Sequence, residues 1–266
     1  MRRFKLSFLF LIWIAFACDT SSNIGEPDKN YFLKYFGGDG NQYAVDLIVN
    51  SDGTFYILGN SRKSQSETQK IFVAKADEFG RLIWQKTYGT VETVAKDFIL
   101  TSDGKLAIVA NVQTSVSNMD ILLLRALPGK DSLQNIESVM LQIEPSLTAT
   151  PKNEYANSLI ELADGGFLVA GYTDYTPNST QNIDALHLRT NSSLVQLTKN
   201  ADGWNEANGN GVNNYGVSAF QTLTGSPSNF YVFGYNDHLN STDTKLWAFG
   251  IGSAGAATDN SDTNNL

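Results

Sequence analysis

One segment of about seventeen residues occurs three times, and its recurrence limits what the chain can fold into more than any other feature. "AVDLIVNSDGTFYILGN" (Ala44 to Asn60) returns as "AKDFILTSDGKLAIVAN" (Ala95 to Asn111) and as "ANSLIELADGGFLVAGY" (Ala156 to Tyr172). The copies align without a gap. Ala44, Ala95 and Ala156 coincide, followed by Asp46, Asp97 and Ser158, then Ile48, Ile99 and Ile160. The pairs Asp52-Gly53, Asp103-Gly104 and Asp164-Gly165 also coincide, as do Gly59, Ala110 and Gly171. A fourth copy, "GVSAFQTLTGSPSNFYVFG", starts at Gly216 and carries three extra residues before Phe230 and Gly234. The starts lie 51, 61 and 60 residues apart. A period of that length marks a repeat architecture, in which each unit buries its faces against its neighbours.

Strands can be read within a unit. Tyr43 to Val49 and Thr54 to Gly59 alternate as strands and are joined by Asp52-Gly53, a favoured hairpin turn. A third strand, "KIFVAKA", has counterparts in "DILLLRA", "DALHLRT" and "TKLWAFG". A second turn, "DEFG", leads to a fourth strand, "RLIWQKTYG". Four antiparallel strands per unit, the inner ones apolar on both faces, predict an all-β fold: a β-propeller of four-stranded blades with about four repeats. "FLKYFG" (Phe32 to Gly37) matches "WQKTYG" (Trp84 to Gly89), so the domain starts with an outer-type strand that lacks its own blade. That strand could clasp the last blade of a closed four-bladed ring; an incomplete ring from a larger propeller is the competing expectation. The stretch "LTKNADGWNEANGNGVNN" reads as an insertion without strand periodicity. The expected organisation is a signal peptide over 1–17, a flexible tether over 18–30, the propeller over 31–255 and a disordered tail over 256–266.

Composition agrees with an all-β chain. Charged residues make up only 17%, aromatics reach 11%, and there are 22 glycines, whereas long solvent-facing helices need more Glu, Lys and Ala. The net charge is −8 with no basic run. Nucleic acid is therefore not an expected partner, because phosphate affinity rests on clustered Lys and Arg.

The N-terminus "MRRFKLSFLFLIWIAFAC" has a basic start and an apolar run from Phe8 to Phe16, short for a bilayer span and suited to a secretory signal. Its ending, "AFAC", resembles the lipobox of bacterial lipoproteins, with Ala15 where that family usually has Leu. The resemblance implies that Cys18 is lipidated and becomes the mature N-terminus. Cys18 is the sole Cys, so it has no intrachain disulfide partner. The polar run "DTSSNIGEPDKN" then reads as a tether. A lipid-anchored domain outside the cytoplasm, in the cell envelope and at the outer membrane, is the implied location.

The wider pattern, W-x-K-T-Y-G, then A-x-D-x-I, D-G, a Lys or Arg on the third strand, and D-x-x-G, resembles the delta-60-type propeller repeats of secreted and lipid-anchored bacterial proteins. It covers most of residues 31 to 250 and supplies residues that build blades, with no catalytic motif.

Candidate chemistry is sparse. His187 and His238, the only histidines, have no second His or Cys at ligand spacing, which argues against a transition-metal site. Each Asp-Gly pair holds a single acid in a short hairpin, without the alternating oxygen ligands of a calcium loop. Lys75, Arg125 and Arg189 share one position, occupied by Phe249 in copy four. They either attract anions at one face or pair between blades with Asp46 and Asp97, and the second reading is preferred. Tyr172, Tyr175, Trp204 and Tyr215 read as loop aromatics, the residue type that anchors sugars or partners. No cofactor and no catalytic residue is expected. The preferred function is a non-enzymatic binding or scaffold protein for a protein or glycan partner. The alternative is a propeller-type enzyme acting on envelope or extracellular glycans.

Overall fold

The computed structural model describes residues 33–142, 153–174, 183–202, 212–222, 230–238 and 244–251. All regular structure in these residues is β-strand. Each repeat folds into its own antiparallel sheet. Blade 1 contains β1 (Asn41–Val49), β2 (Phe55–Arg62), β3 (Lys70–Ala76) and β4 (Leu82–Tyr88), hydrogen-bonded in that order. Blade 2 contains β5 (Thr93–Leu100), β6 (Leu106–Ser115), β7 (Asn118–Pro128) and β8 (Leu133–Leu141). Blade 3 contains β9 (Glu154–Glu161), β10 (Phe167–Thr173), β11 (Asp184–Thr190) and β12 (Gln196–Asp202). Among the described residues blade 4 has three strands, β13 (Val212–Gln221), β14 (Phe230–His238) and β15 (Thr244–Ile251). The architecture is that of a β-propeller, as the repeat predicts.

The repeat alignment holds to the residue. Lys75, Arg125, Arg189 and Phe249 lie opposite Tyr56, Ala107, Leu168 and Val232 in their respective blades. The small residue opening each copy precedes a β-bulge, which leaves Val45, Lys96, Asn157 and Val217 as the extra residue of the first strand. A bulge adds twist and re-aims the side chains that follow it. The three gapless copies turn through Gly53, Gly104 and Gly165 at φ of 81°, 79° and 76°, a region that only glycine enters without strain.

The second strands explain why the repeat is apolar on both faces. On β6, Leu106, Ile108 and Ala110 join a cluster with Tyr56, Leu58, Ile71, Val73 and Trp84 of blade 1, while Ala107 and Val109 join the cluster shared with blade 3. On β10, Phe167 and Val169 face blade 2, and Leu168 and Ala170 face Phe230, Val232 and Trp247 of blade 4. Period-two alternation thus sends successive apolar residues into two different interfaces. Three apolar clusters join blades 1–2, 2–3 and 3–4. Among the described residues no such cluster joins blade 4 to blade 1.

Two sequence expectations change. The stretch assigned to an insertion starts with a strand: β12 (Gln196–Asp202) is the fourth strand of blade 3. An outer strand has one exposed edge and needs no clean alternation, so its "QLTKNAD" hid the pairing. Of the Phe32 to Gly37 stretch read as an outer strand, the described residues 33–37 carry no strand pairing. Phe36 packs edge-on against Phe55 (6.2 Å between ring centroids, 82° between planes), and Gly37 exchanges two hydrogen bonds with the Gln85 side chain on β4. The Gly37 N–H donates to Gln85 Oε1 at 3.0 Å, and Gln85 Nε2 donates to the Gly37 carbonyl at 2.9 Å.

Candidate functional site

The site is built by the first two strands of blades 3 and 4. The residue before the small opening residue is Tyr155 in copy three and Tyr215 in copy four. Directly across the ladder lie Tyr172 and Tyr235. Antiparallel register places each pair on one face, where large side chains meet. Tyr155 and Tyr172 stack with centroids 4.9 Å apart and planes 23° apart. Tyr215 and Tyr235 repeat this at 4.9 Å and 20°. Tyr172 then meets Tyr215 edge-on at 5.1 Å and 70°, across the boundary between the blades. All four rings are part-buried, so the cluster keeps aromatic surface in contact with solvent.

Two phenols of this cluster, those of Tyr155 and Tyr172, are pushed further toward the neutral form. Burial pushes the Tyr172 hydroxyl above its usual value, and the neighbouring Tyr155, Tyr215 and Tyr235 add to that. Burial does the same for Tyr155, with the Asp174 carboxylate as a second cause. Asp174 is itself held by Asn153, whose backbone N–H and Nδ2 donate to its two carboxylate oxygens at 2.6 and 2.7 Å. The arrangement offers flat apolar ring faces beside neutral hydroxyls that can both donate and accept.

Of the aromatics expected from sequence, the structure joins Tyr172 and Tyr215. It places them in strands β10 and β13 and not in loops, because each pairs across a ladder inside the repeat. Tyr175, Trp204 and Cys18 lie outside the described residues. Tyr155 and Tyr235 complete the cluster and were missed. Their signal was present in the alignment, since blades 1 and 2 have Tyr43 with Asn60 and Val94 with Asn111 at the same two positions.

Those asparagines show what the tyrosines replace. Asn60, 4% exposed, accepts from the Ala95 N–H at 2.7 Å and donates to the Ala95 carbonyl at 3.1 Å. Asn111 accepts from the Ala156 N–H at 2.8 Å. Each asparagine therefore clamps the opening residue of the next blade. At the boundary of blades 3 and 4 an aromatic contact takes that place.

The recurring cations join neighbouring elements, though not through the acids expected. Arg125 donates to Glu137 at 2.6 and 3.0 Å and to the Ser192 carbonyl of blade 3 at 2.7 Å. Arg189 pairs with Asp164 at 2.6 Å and lies 5.2 Å from the ring centre of Phe230 in blade 4. Lys75 sits 5.3 Å over Tyr56 in its own blade. The expected partners act otherwise: Asp97 accepts from the Leu159 N–H of blade 3 at 2.7 Å, and Asp46 accepts from its neighbour Leu47. The three cations are thus held by packing and pairing, which removes them from a free anion-attracting ring. A cleft lined by Arg125, Glu137, Ser138, Ser192 and Leu194 lies between blades 2 and 3, with this arginine as its wall.

The Asp-Gly acids serve their turns. Asp52 accepts from the Thr54 N–H and hydroxyl at 2.9 and 2.6 Å, Asp103 pairs with Lys105 at 2.8 Å, and Asp164 accepts from the Gly166 N–H at 2.9 Å. His187 is fully buried on β11. Among the described residues no three of His, Cys, Asp and Glu gather as a metal site.

No protein-family model matches the chain, and no curated protein matches it. Several solved structures are similar in part. An endo-arabinase from Bacteroides thetaiotaomicron is 10% identical, covering 76% of this chain and 72% of that one, with a TM-score of 0.44. A putative exo-beta-1,3-galactanase from Bifidobacterium bifidum is 12% identical over 85% of this chain and 72% of its own, with a TM-score of 0.45. An alpha-L-arabinofuranosidase from Fusarium graminearum is 11% identical over 80% and 62%, with a TM-score of 0.45. Likeness at this level carries no chemistry across, and the fold assignment above rests on the sheets and their interfaces.

Proposed function

We propose that this chain is a lipid-anchored β-propeller that binds glycan through the tyrosine cluster of blades 3 and 4. The observation that supports the reading is the run of three ring contacts from Tyr155 through Tyr172 and Tyr215 to Tyr235. A sugar ring presents an apolar C–H face and a rim of hydroxyls. Part-buried phenols offer the complement, an apolar ring face with a neutral hydroxyl at its edge. Strands hold these rings, so little side-chain freedom is lost on binding. Tyr172 also bridges the two blades, so the test uses Tyr155 at the end of the run. On an array of polysaccharides the protein is expected to retain at least one glycan. Tyr155→Ala should weaken that binding about tenfold, the equivalent of ~1.4 kcal/mol. The protein's melting temperature should hardly change. Failure to retain any glycan, or an unaffected Tyr155→Ala variant, removes the reading. Release of reducing sugar from a retained glycan would show that the protein is an enzyme acting on glycans, the alternative expected from sequence.

A further inference from the structure

The inner strand of blade 1 carries the same receiving surface that blades 2, 3 and 4 use, and among the described residues no blade is seated on it. Three positions define that surface. Three residues before the opening small residue, Glu92, Asn153 and Asn213 each accept a backbone N–H from the preceding blade. The donors are Gln69, Met119 and Ile183, at 2.8, 3.0 and 3.0 Å. The opening residues Ala95 and Ala156 are buried against that preceding blade. Three residues further on, Phe98, Leu159 and Ala219 fill the interface and are 2%, 2% and 4% exposed.

Blade 1 has Asn41, Ala44 and Leu47 at these positions, and all three are exposed, Leu47 to 50%. The outer part of the same face is covered, because Phe36 lies on Phe55 and Gly37 on Gln85. In the repeat alignment Phe36 and Gly37 match Tyr88 and Gly89, the end of a fourth strand. Blade 1 is therefore prepared for a blade that brings its first three strands and lacks its fourth.

Among the described residues blade 4 has that form. Its outward face is free among the described residues and is rich in apolar surface: Phe220, Phe233 and Leu246 are exposed, and Phe220 stacks on Tyr231 at 5.1 Å. Ser218 occupies the position from which Asp97 and Ser158 accept a backbone N–H of the next blade. We propose that blade 4 of one molecule docks on blade 1 of a second copy of this chain, head to tail, using the contacts that join blades within the chain. The inference stands independently of the glycan reading. Such an interface is heterologous, so it extends or closes according to the rotation between copies.

Sedimentation velocity on the full chain over a broad concentration series tests this. The wild type is expected to associate increasingly with concentration. Leu47→Glu on one face and Phe233→Glu on the other should each weaken association by about a hundredfold, since the interface would bury an unpaired carboxylate. Mixing the two variants should restore a one-to-one dimer that grows no further, because each variant keeps the face that the other lost. Thermal melts of both variants should match the wild type, as both side chains are exposed. Asn41→Ala, a gentler change, should also weaken association. A wild type that stays monomeric throughout overturns the proposal, as does association that neither glutamate disturbs.

Discussion

Asn60 and Tyr172 stand at the same place in the repeat, and the exchange of one for the other shows how a single residue decides the character of a blade interface. Asn60 satisfies both backbone groups of Ala95 in a site closed to water. Removing the amide leaves two buried polar groups without a partner, each worth about 1–3 kcal/mol. Asn60→Ala is therefore expected to cost about 2–4 kcal/mol, read as a lowered urea midpoint with an unchanged slope. A loss within the ordinary range of a surface substitution would show that Ala95 finds other partners. This residue was legible in the sequence only as the last letter of a recurring segment. Its role requires knowing that its neighbour in space is the first letter of the next copy, and the asparagine-to-tyrosine change gains meaning only there. Leu47 teaches the same point: identical in pattern to Phe98 and Leu159, it differs from them in that no blade among the described residues covers it.

At the scale of elements, the strands and hairpin turns were readable because local chemistry fixes them. Asp-Gly at each first turn demands positive φ at the glycine, and the three gapless copies have it. What escaped was set by neighbours: β12, an outer strand, and residues 33–37, which lie outside every ladder. The turn acids also make a prediction about pH. The Lys105 ammonium and then the Thr101 hydroxyl, both bonded to Asp103, hold its carboxyl down at about 2, below its ordinary 3.8. A folded-state value below the unfolded one means that the stabilisation is present above the unfolded value and is lost as pH falls through about 2. Asp103→Asn should therefore melt below the wild type near neutral pH, and the gap should narrow steadily from about pH 4 downward. The pair is solvent-exposed, so the gap itself should be small. A gap independent of pH would assign the effect to turn geometry and not to charge. Asp97 runs the opposite way. Burial outweighs its bonds from Leu159 and Phe98 and raises its value, so its contribution is present at low pH and lost as pH rises.

For the whole molecule, a stack of blades explains why so much of the chain is repeated and so little of the repetition concerns function. Each interface is made from the same positions, and what distinguishes one part of the stack from another is substitution at those positions, as with the tyrosines of blades 3 and 4. The architecture was legible because the period is long and regular. The cluster was not, because its four members come from two blades and no local motif announces them. Location is a further property of the whole chain and rests on the N-terminal pattern alone. Among the described residues no helix is long and apolar enough to cross a membrane. The proposed anchor, a lipid on Cys18, is argued from the lipobox-like ending "AFAC". Acyl chains, each adding about 0.8 kcal/mol per buried methylene, would hold the propeller at a bilayer without any contribution from its strands. Cys18→Ala should then move the full chain from the membrane fraction to the soluble fraction of fractionated cells while its melting temperature stays unchanged. Metabolic labelling with a fatty-acid analogue should mark the wild type and leave the variant unmarked. A variant that remains with the membrane without label would place the attachment in the apolar run from Phe8 to Phe16, and the lipobox reading would fall.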